Sequence, residues 1–222
     1  MSLQPSATPS PHGESPRLVP KAPPPGLRRM TLLALDIRGF SAILRRLGCL
    51  PALLLLQRFF RVMTETVSRH GGRVEKILGD GFLARFEDAV GGYGHADRAA
   101  LSALDMRRRL EPLNRIVAAE HGLILRIGCG IQTGQVACGE IVVGRRLETA
   151  VIGEPVNGVF RLQRLLRTIP DGILLGPAAM EETSLPLEVK PLDVPAHLRR
   201  ALGHVIVYEL LGLRGEAEFP CA

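Results

Sequence analysis

The feature of this sequence that most constrains its fold is an alternation, from Met30 onward, of short strand-like runs and longer helical patterns. A continuous apolar run at residues 31–35 predicts a strand that is buried on both faces. Beyond it, Pro51 is followed by apolar residues at steps of three and four up to Val67, which predicts a helix. No repeat of solenoid length is visible. The alternation therefore predicts one α/β or α+β domain.

The helix predicted from Pro51 is apolar over more than one face, because Leu54, Leu55 and Phe59 lie outside its main stripe. A helix with a single apolar stripe packs on one side only, whereas a wider apolar surface needs a second cover. We therefore expect this helix to be buried on a second side, and another subunit is one candidate for covering it.

The rest of the body predicts a hairpin, two helices and several short strands. Runs at 73–78 and 82–86 flank Gly79-Asp80-Gly81, which places Asp80 at the tip of a tight turn. A helical stretch at 96–120 contains Pro112, which predicts a kink or a second segment. A strand pair is expected around residues 133–134, and a further helix is expected to begin near Glu154. The remaining predicted strands are at 173–175, 187–190 and 204–211.

Residues 1–29 are predicted to be a disordered, Pro-rich basic tail. They contain eight of the 17 prolines and carry +3 of the chain's net charge of +6. With few large apolar residues, the segment cannot bury enough surface to offset its ordering entropy. A basic tail could bind nucleic acid, but no aromatic residues interleave its charges, so we favour a solvated leader and expect no nucleic-acid partner. Residues 214–222 are predicted to be a flexible C-terminus.

The location and redox state of the chain follow from its apolar runs and its cysteines. The longest apolar run, at residues 50–56, is far shorter than the roughly 20 residues that cross a bilayer, and no signal-sequence pattern opens the chain. We therefore expect no membrane span and a cytoplasmic location. The four cysteines lack paired ligand spacing, so neither a zinc site nor a disulfide framework is expected.

Two aspartates, Asp36 and Asp80, each follow a strand-like run. Each alone is more simply explained as a helix cap or a turn residue. Together, an acidic pair at a sheet edge can bind two divalent cations that clamp a polyphosphate and lower the pKa of an attacking hydroxyl. The chain after Asp36 turns into a helix at Gly39, Phe40 and Ser41, where backbone N–H groups would favour phosphate oxygens. The combination favours a metal and phosphate site.

Three further residues are candidates for binding or catalysis. Asn157 and Arg161 are four apart on a predicted helix, so they share the face opposite its apolar stripe. An amide and a guanidinium there could stabilise charge on a transferring phosphoryl group, although a solvated polar face would show the same pattern. Lys76 lies close to the hairpin turn and is one of only three lysines beside 25 arginines, which indicates a specific role.

Four segments occur together in the order and at the spacing of one known family. They read Leu-Asp-Ile-Arg-Gly-Phe-Ser at 35–41, His-Gly-Gly-Arg-Val-Glu-Lys-Ile-Leu-Gly-Asp-Gly at 70–81, Arg-Ile-Gly-Cys-Gly-Ile-Gln-Thr-Gly-Gln-Val at 126–136 and Val-Ile-Gly-Glu-Pro-Val-Asn-Gly-Val-Phe-Arg-Leu at 151–162. Over residues 30–213 the chain resembles the class III nucleotide cyclase catalytic domain. The resemblance implies a ferredoxin-like α+β fold of βαββαβ type, with a mixed, mostly antiparallel sheet and flanking helices.

The resemblance also implies how a metal site and a reaction centre would be built. Asp36 and Asp80 match the family's metal-binding aspartates, and the Ile37 carbonyl would be a further ligand to two divalent cations, Mg²⁺ or Mn²⁺. Asn157 matches the asparagine that orients the ribose. Arg161 matches the arginine that stabilises the transition state at the α-phosphate. The implied reaction is the conversion of ATP to 3′,5′-cyclic AMP and pyrophosphate in a head-to-tail homodimer, so that a lone protomer would be inactive.

Purine and triphosphate recognition match the family less closely. Lys76 matches the purine-reading position, where adenylate cyclases have lysine and guanylate cyclases usually have glutamate. Ala150 stands at the second purine-reading position, normally aspartate or threonine in adenylate cyclases, and offers no hydrogen bond. Arg199 falls where the family has a triphosphate-binding lysine. Gln135 stands where some relatives have a phosphate-contacting arginine.

Two alternatives to an active adenylate cyclase remain at the level of sequence. Ala150 and Gln135 favour a catalytically weak or inactive cyclase-like module that binds nucleotide or mediates dimerisation. A diguanylate cyclase on the related palm fold is disfavoured, because the hairpin reads Leu-Gly-Asp-Gly and lacks that family's Gly-Gly-acidic-acidic-Phe turn.

Overall fold

The computed structural model of the chain describes residues 25–87, 92–144, 146–169, 171–196, 199–200, 203 and 206–215. Helices and strands alternate through most of this range, as the sequence predicts. In chain order they are β1 Gly26–Ile37, α1 Phe40–Leu47, α2 Cys49–Arg69, β2 Arg73–Leu78, β3 Gly81–Phe86, α3 His95–His121, β4 Ile127–Val143, β5 Arg146–Ile152, α4 Glu154–Leu165, β6 Ile173–Leu175, α5 Pro177–Glu181, β7 Leu187–Asp193 and β8 Ile206–Leu213.

The strands of the described residues form one sheet in the order β2-β3-β1-β4-β6-β8-β7, and β5 pairs with the far half of β4. Strand β1 lies between β3 and β4 and is antiparallel to both. The pairing of β4 with β6 is parallel, and the other pairings are antiparallel. The order β2-β3-β1-β4 is that of a βαββαβ unit, so the expected ferredoxin-like α+β fold is confirmed.

The sheet has a hydrophobic core on each face. On one face, Leu33 and Leu35 of β1 pack with Phe59 and Met63 of α2 and with α3. On the other face, Leu32 and Ala34 of β1 pack with Val159 of α4. Consecutive residues of β1 thus alternate between two cores, which is why its sequence is apolar without interruption. The prediction of a strand buried on both sides is confirmed.

Strand β1 starts earlier than the sequence predicts. It begins at Gly26, and residues 26–29 pair with residues 135–138 of β4. The prediction of a tail up to residue 29 is therefore wrong for these last four residues, because pairing with a long neighbouring strand orders polar residues that bury little apolar surface. Residues 1–24 and 216–222 lie outside the described residues.

Strand β4 is one continuous strand, where the sequence predicted two strands around a turn. Thr133 pairs with Thr31, and their hydroxyl oxygens are 2.6 Å apart. Gly134 serves close packing, since a Cβ there would fall 2.6 Å from Cγ of Pro155 at the start of α4. The turn prediction was wrong because a glycine that makes room for a helix has the same sequence signature as a turn glycine.

Helix α3 also continues where an interruption was expected. It runs from His95 to His121 with Pro112 inside it. Leu110, Leu113 and Val117 are buried on the same helix face. Their packing against the core offsets the hydrogen bond that proline removes, so no second segment starts there.

Of the three residues predicted to lie outside the main stripe of α2, only Leu54 is exposed in the protomer; Leu55 and Phe59 belong to the core-facing side, so the predicted stripe was wrong for these two residues. Leu50, Leu53 and Leu54 are 66%, 52% and 51% exposed, whereas Leu55 and Phe59 are buried in the core. This surface lies on the opposite side of the sheet from α4, so it does not support a pairing that would use the face of Asn157 and Arg161. No helix in the described parts of the chain combines the length and the apolarity needed to cross a bilayer.

Gly81 is the residue most tightly enclosed by backbone where β3 meets β1. A Cβ there would fall 2.1 Å from the Leu35 carbonyl oxygen and 3.1 Å from Cα of Asp36. Because backbone atoms cannot yield as a side-chain end can, we expect Gly81→Ala to lower the free energy of unfolding by about 1–3 kcal/mol in urea denaturation. Gly212→Ala in β8, where the nearest atom is 3.9 Å away, is the matched control and should change stability little. Equal stabilities would contradict the packing described.

Candidate active site

The end of β1 and the β2–β3 turn bring the two predicted metal-binding aspartates together. Asp36 is paired with Gly81 of β3, the residue that follows Asp80. The backbone N–H of Ile37 donates to the carbonyl oxygen of Asp80 over 3.3 Å. The β2–β3 turn therefore lies against the C-terminal end of β1, so the two aspartates meet at one end of the sheet, as the sequence predicted.

A cavity of about 520 Å³ contains this acidic pair. Helix α1 begins at its wall, so the first turn of that helix faces the carboxylates. The lining residues are Asp36, Ile37, Arg38, Gly39, Phe40, Ser41, Asp80, Arg126, Leu166 and Arg167. Six residues singled out from the sequence therefore meet in one cavity, together with three arginines that the sequence analysis did not assign.

One carboxylate oxygen of Asp36 has no hydrogen-bond partner, and it is called open below in this sense only. Its Oδ1 is buried and accepts no hydrogen bond. Nη2 of Arg38 lies 3.1 Å from this oxygen, but its N–H groups are not directed at it. Burial raises the pKa of Asp36 above its usual range, the charge of Asp80 raises it further, and Arg38 opposes the rise.

The donor set fits a divalent cation. An open, buried carboxylate oxygen beside a second carboxylate is the arrangement that hard cations bind. Within the described residues no cluster of three or more histidine, cysteine, aspartate or glutamate side chains could hold a metal. Two aspartates alone do not complete a coordination shell, so main-chain carbonyl, water or phosphate oxygens would supply the rest.

Gln163 of α4 connects the acidic end of the sheet to the helix. Its Oε1 accepts from Nη2 of Arg38 over 2.9 Å. Its Nε2 donates to the carbonyl oxygens of Ala34 and of Gly128, the latter over 3.1 Å. Sequence reasoning missed this residue because a glutamine two positions after Arg161 has no signature apart from the helix it lies on.

Asn157 and Arg161 do not line the cavity of the acidic pair in the same protomer. Asn157 is exposed, and Arg161 forms an ion pair with Glu154, which lies about two turns earlier on α4. Residues two apart on a helix lie about 200° apart around its axis, so Arg161 and Gln163 project from opposite flanks of α4. The flank that reaches Asp36 through Gln163 is therefore not the flank that carries Asn157 and Arg161.

A β-bulge at Glu75 sets the direction of Lys76. Val74 pairs with Ala84 and Lys76 with Leu83, so Glu75 is an extra residue in β2. Leu83 belongs to the core on the α4 side of the sheet, which places Lys76 on that side too. The side chain of Glu75 is buried and pairs with Arg85 over 2.7 Å. Burial raises the pKa of Glu75, with Arg85 opposing the rise. Lys76 itself is exposed.

The remaining predicted binding residues lie outside the cavity of the acidic pair. Ala150 is half-buried on β5, opposite Gly139 of β4. Gln135 is exposed on β4. Arg199 is exposed, and its Nε donates to the carbonyl oxygen of Val194 over 2.8 Å. The structure therefore brings the predicted metal residues and the start of α1 together in one protomer, but not Arg199 or the predicted purine-reading, ribose and transition-state residues.

A larger cavity, of about 590 Å³, lies between α2 and α3. Arg58, Arg61, Arg109 and Ile116 are among its lining residues, and Arg58 pairs with Glu120 across it over 2.5 Å. It holds no pair of carboxylates with an open oxygen. Size alone therefore does not identify the site, and the smaller cavity at Asp36 is the candidate active site.

Comparison with a protein family agrees with this geometry. The family described as adenylate and guanylate cyclase catalytic domain matches residues 24–164. This range contains Asp36, Asp80, Asn157 and Arg161, and it ends near the end of α4.

Three curated relatives illustrate the range of similarity. An adenylate cyclase of Anabaena cylindrica is 28% identical over 189 residues, which are 82% of this chain and 37% of the relative. Adenylate cyclase 1 of Rhizobium meliloti is 25% identical over 84% of this chain and 28% of the relative. An uncharacterized protein of Mycobacterium tuberculosis is 33% identical over 66% of this chain and 24% of the relative. This chain thus spans less than two fifths of the length of each.

Two solved structures share the fold. The guanylyl cyclase Cya2 has a TM-score of 0.73 and 24% identity, and the match covers 89% of this chain and 98% of that chain. The adenylyl cyclase CyaB from P. aeruginosa has a TM-score of 0.73 and 21% identity, with 87% and 99% covered. One is named for each nucleotide, so the shared fold does not distinguish ATP from GTP.

Asp36 should make the metal-free protein less stable as pH rises. The pKa of Asp36 is raised in the folded state, so the unfolded chain ionises at lower pH, near 4. The free energy of unfolding therefore falls as pH rises from about 4 to the raised pKa of the folded state. In EDTA at pH 8, Asp36→Asn should therefore unfold at higher urea concentration than the unaltered protein, and the difference should close below pH 4. Mn²⁺ should stabilise the unaltered protein but not the variant.

Asp193→Asn, at an exposed position of β7, is the matched control and should not shift the urea midpoint. A variant at Asp36 that is less stable than the unaltered protein at pH 8 without metal would contradict the environment described for this carboxylate.

Proposed function

This chain belongs to the adenylate and guanylate cyclase catalytic domain family, the class III nucleotide cyclases, and from that premise we propose that it converts ATP to 3′,5′-cyclic AMP and pyrophosphate. The observation that carries the proposal is the open, buried Oδ1 of Asp36 beside Asp80, in one cavity with the start of α1. Acidic ligands and free helix N–H groups at one place suit a metal-bound triphosphate.

The acidic pair would bind the divalent cations of the reaction. Asp36, Asp80 and the main-chain carbonyl of Ile37 would hold two of them, Mg²⁺ or Mn²⁺. When bound, such cations lower the pKa of an attacking hydroxyl and neutralise phosphate charge. The raised pKa of Asp36 supports this role, because a buried carboxylate gains more from a nearby cation than a solvated one does.

Phosphate oxygens would contact the opposite wall of the same cavity. Gly39, Phe40 and Ser41 begin α1, and the N–H groups of Phe40 and Ser41 precede the first hydrogen bonds of the helix, which Ala42 and Ile43 donate to Gly39. Arg126 and Arg167 line the cavity and add positive charge. These groups would orient the triphosphate so that its α-phosphate faces the ribose 3′-hydroxyl. Arg199 would add a phosphate contact from outside this cavity.

A second copy of the chain would complete the site. Asn157 and Arg161 project from the flank of α4 that faces away from Asp36 of the same protomer, so they are free to serve a partner. From the partner, Asn157 would orient the ribose, and Arg161 would meet the charge that develops at the α-phosphate. Arg161 would have to exchange its ion pair with Glu154 for the phosphate.

Base recognition would depend on Lys76 and Ala150. The bulge at Glu75 places Lys76 on the α4 side of the sheet, and Arg85 already neutralises Glu75, so the ammonium group stays exposed for a purine acceptor. Ala150 supplies no side-chain donor or acceptor. We therefore propose ATP as the preferred substrate, with weaker rejection of GTP than two side-chain contacts would give.

A nucleotide-binding module without turnover is the second candidate function. Ala150 and the exposed Gln135 favour it, because each replaces a polar or charged contact that the family resemblance implies. Calorimetric binding of ATP without any cyclic product in the presence of Mn²⁺ would establish this alternative.

The composite site predicts complementation between two inactive variants. Asp80→Ala should lose activity through the metal residues, and Arg161→Ala through the transition-state residue. When the two are mixed and exchange subunits, half of the dimers are mixed and each has one intact site, so about a quarter of the original cyclic AMP production should return. Activity is measured with MnATP after dimer formation is checked by size-exclusion chromatography. A dimeric mixture that stays inactive would contradict the head-to-tail arrangement.

Lys76 predicts the base preference. We expect Lys76→Glu to lower the ratio of kcat/KM for ATP to that for GTP about tenfold or more, because a carboxylate accepts from guanine and repels the acceptors that adenine presents. Lys190→Glu on β7 makes the same charge change at another exposed lysine and is the control. The measurement is product formation from ATP and GTP side by side. An unchanged ratio would remove Lys76 from base reading.

A further inference from the structure

The guanidinium group of Arg38 occupies a space beside Gly128 and Gln163, which we call its seat. A Cβ at Gly128 would fall 1.5 Å from Nη2 and 2.1 Å from Cζ of Arg38, so this position of the arginine requires glycine at residue 128. The Arg38 side chain is only 15% exposed. A long cationic side chain loses considerable rotamer entropy when it is enclosed in this way, so its placement needs a counterpart.

Gln163 fixes the orientation of that guanidinium. Its Nε2 donates to two main-chain carbonyl oxygens, those of Ala34 and Gly128, which are acceptors only. The amide nitrogen must therefore face the sheet, and Oε1 must face Arg38, whose Nη2 donates to it over 2.9 Å. Gln163 cannot flip without placing its oxygen against two carbonyl oxygens.

Arg38 and Asp36 lie next to each other without sharing a hydrogen bond. Nη2 is 3.1 Å from Oδ1 of Asp36, yet that oxygen accepts no hydrogen bond, and the buried Nε of Arg38 donates to none. An ordinary arginine–carboxylate pair would use both groups. Here the seat holds the charge of Arg38 beside Asp36 while a lone pair of the carboxylate and an N–H of the guanidinium stay open.

We propose that Arg38 is a fixed counter-cation of Asp36, positioned by Gln163 and Gly128, that weakens the binding of a free divalent cation and strengthens the binding of the anionic metal–nucleotide complex. The inference rests on the proposed function, since it concerns the same metal and triphosphate site. Its physical basis is that a fixed positive charge repels a free cation on Asp36, whereas it attracts the net negative charge of a metal-bound triphosphate.

Opposite changes in two affinities distinguish this role from a merely structural one. We expect Arg38→Met to tighten the binding of Mn²⁺ alone about tenfold and to raise the KM for MnATP about tenfold. Damage to the fold would weaken both. Mn²⁺ binding is followed at pH 8 by loss of the electron paramagnetic resonance signal of the free ion, so this readout does not depend on activity. Circular dichroism verifies that each variant is folded.

A second variant displaces Arg38 without removing its charge. In Gly128→Ala the new Cβ would occupy the seat, and the end of a flexible side chain can move away where backbone could not. Free Mn²⁺ should then bind more tightly, as in Arg38→Met, because the charge has moved away from Asp36. This variant keeps the inference testable if Arg38→Met does not fold.

Gln163→Leu tests the positioning role. We expect it to shift Mn²⁺ affinity in the same direction as Arg38→Met but by less, since Arg38 is released and not removed. In the double variant, Gln163→Leu should add nothing to Arg38→Met, because residues that act through one another are not additive. Arg126→Met is the control for free Mn²⁺ binding, since Arg126 lines the same cavity but is 58% exposed and pairs with Asp171.

The outcomes separate this inference from the proposed function. If the unaltered protein binds no Mn²⁺ and makes no cyclic nucleotide, both are overturned. If it binds Mn²⁺ and is active, but Arg38→Met and Gly128→Ala bind free Mn²⁺ no more tightly than it does, only the role of Arg38 is overturned. An effect of Arg126→Met equal to that of Arg38→Met would replace a seated counter-cation with the general charge of the cavity and would overturn it as well.

Discussion

The antiparallel pairing of β1 with β3 on one side and β4 on the other is the constraint on which the site depends. It fixes Asp36 opposite Gly81 and Gly128 at the same level of the sheet. The first neighbour brings the hairpin turn with Asp80, and the second brings the seat of Arg38. Apolar residues that alternate between two cores keep β1 in this register, because a slip of one residue would exchange its two faces.

Much of the fold and part of the site could be predicted from the sequence. The hairpin around Asp80, the start of α4 and strand β6 follow from local turn chemistry and apolar runs, which do not depend on distant residues. The meeting of Asp36 and Asp80 follows from their places at the ends of neighbouring strands. Purine, ribose and transition-state roles stay predictions, because they concern residues that the protomer keeps apart.

The wrong predictions of local structure share a physical cause: tertiary contacts determined the conformation at these residues against their local sequence preference. Gly134 allows Pro155 to approach and does not form a turn. Pro112 stays inside α3 because buried neighbours hold the helix. Arg126 and Arg167 are brought to the cavity from the beginning of β4 and the turn after α4, and no local pattern marks either residue for that place.

The bulge at Glu75 has a consequence for how such sites diverge. If β2 kept all of its residues but continued the regular pairing from Val74, Lys76 would lie opposite Phe82, whose side chain belongs to the core under α2, and the ammonium group would face a hydrophobic interior. A shift of one position in this ladder would therefore redirect the lysine without changing its identity. The side of the sheet on which this lysine lies thus depends on the register of its strand, a character that a column-by-column inspection of residue types does not record.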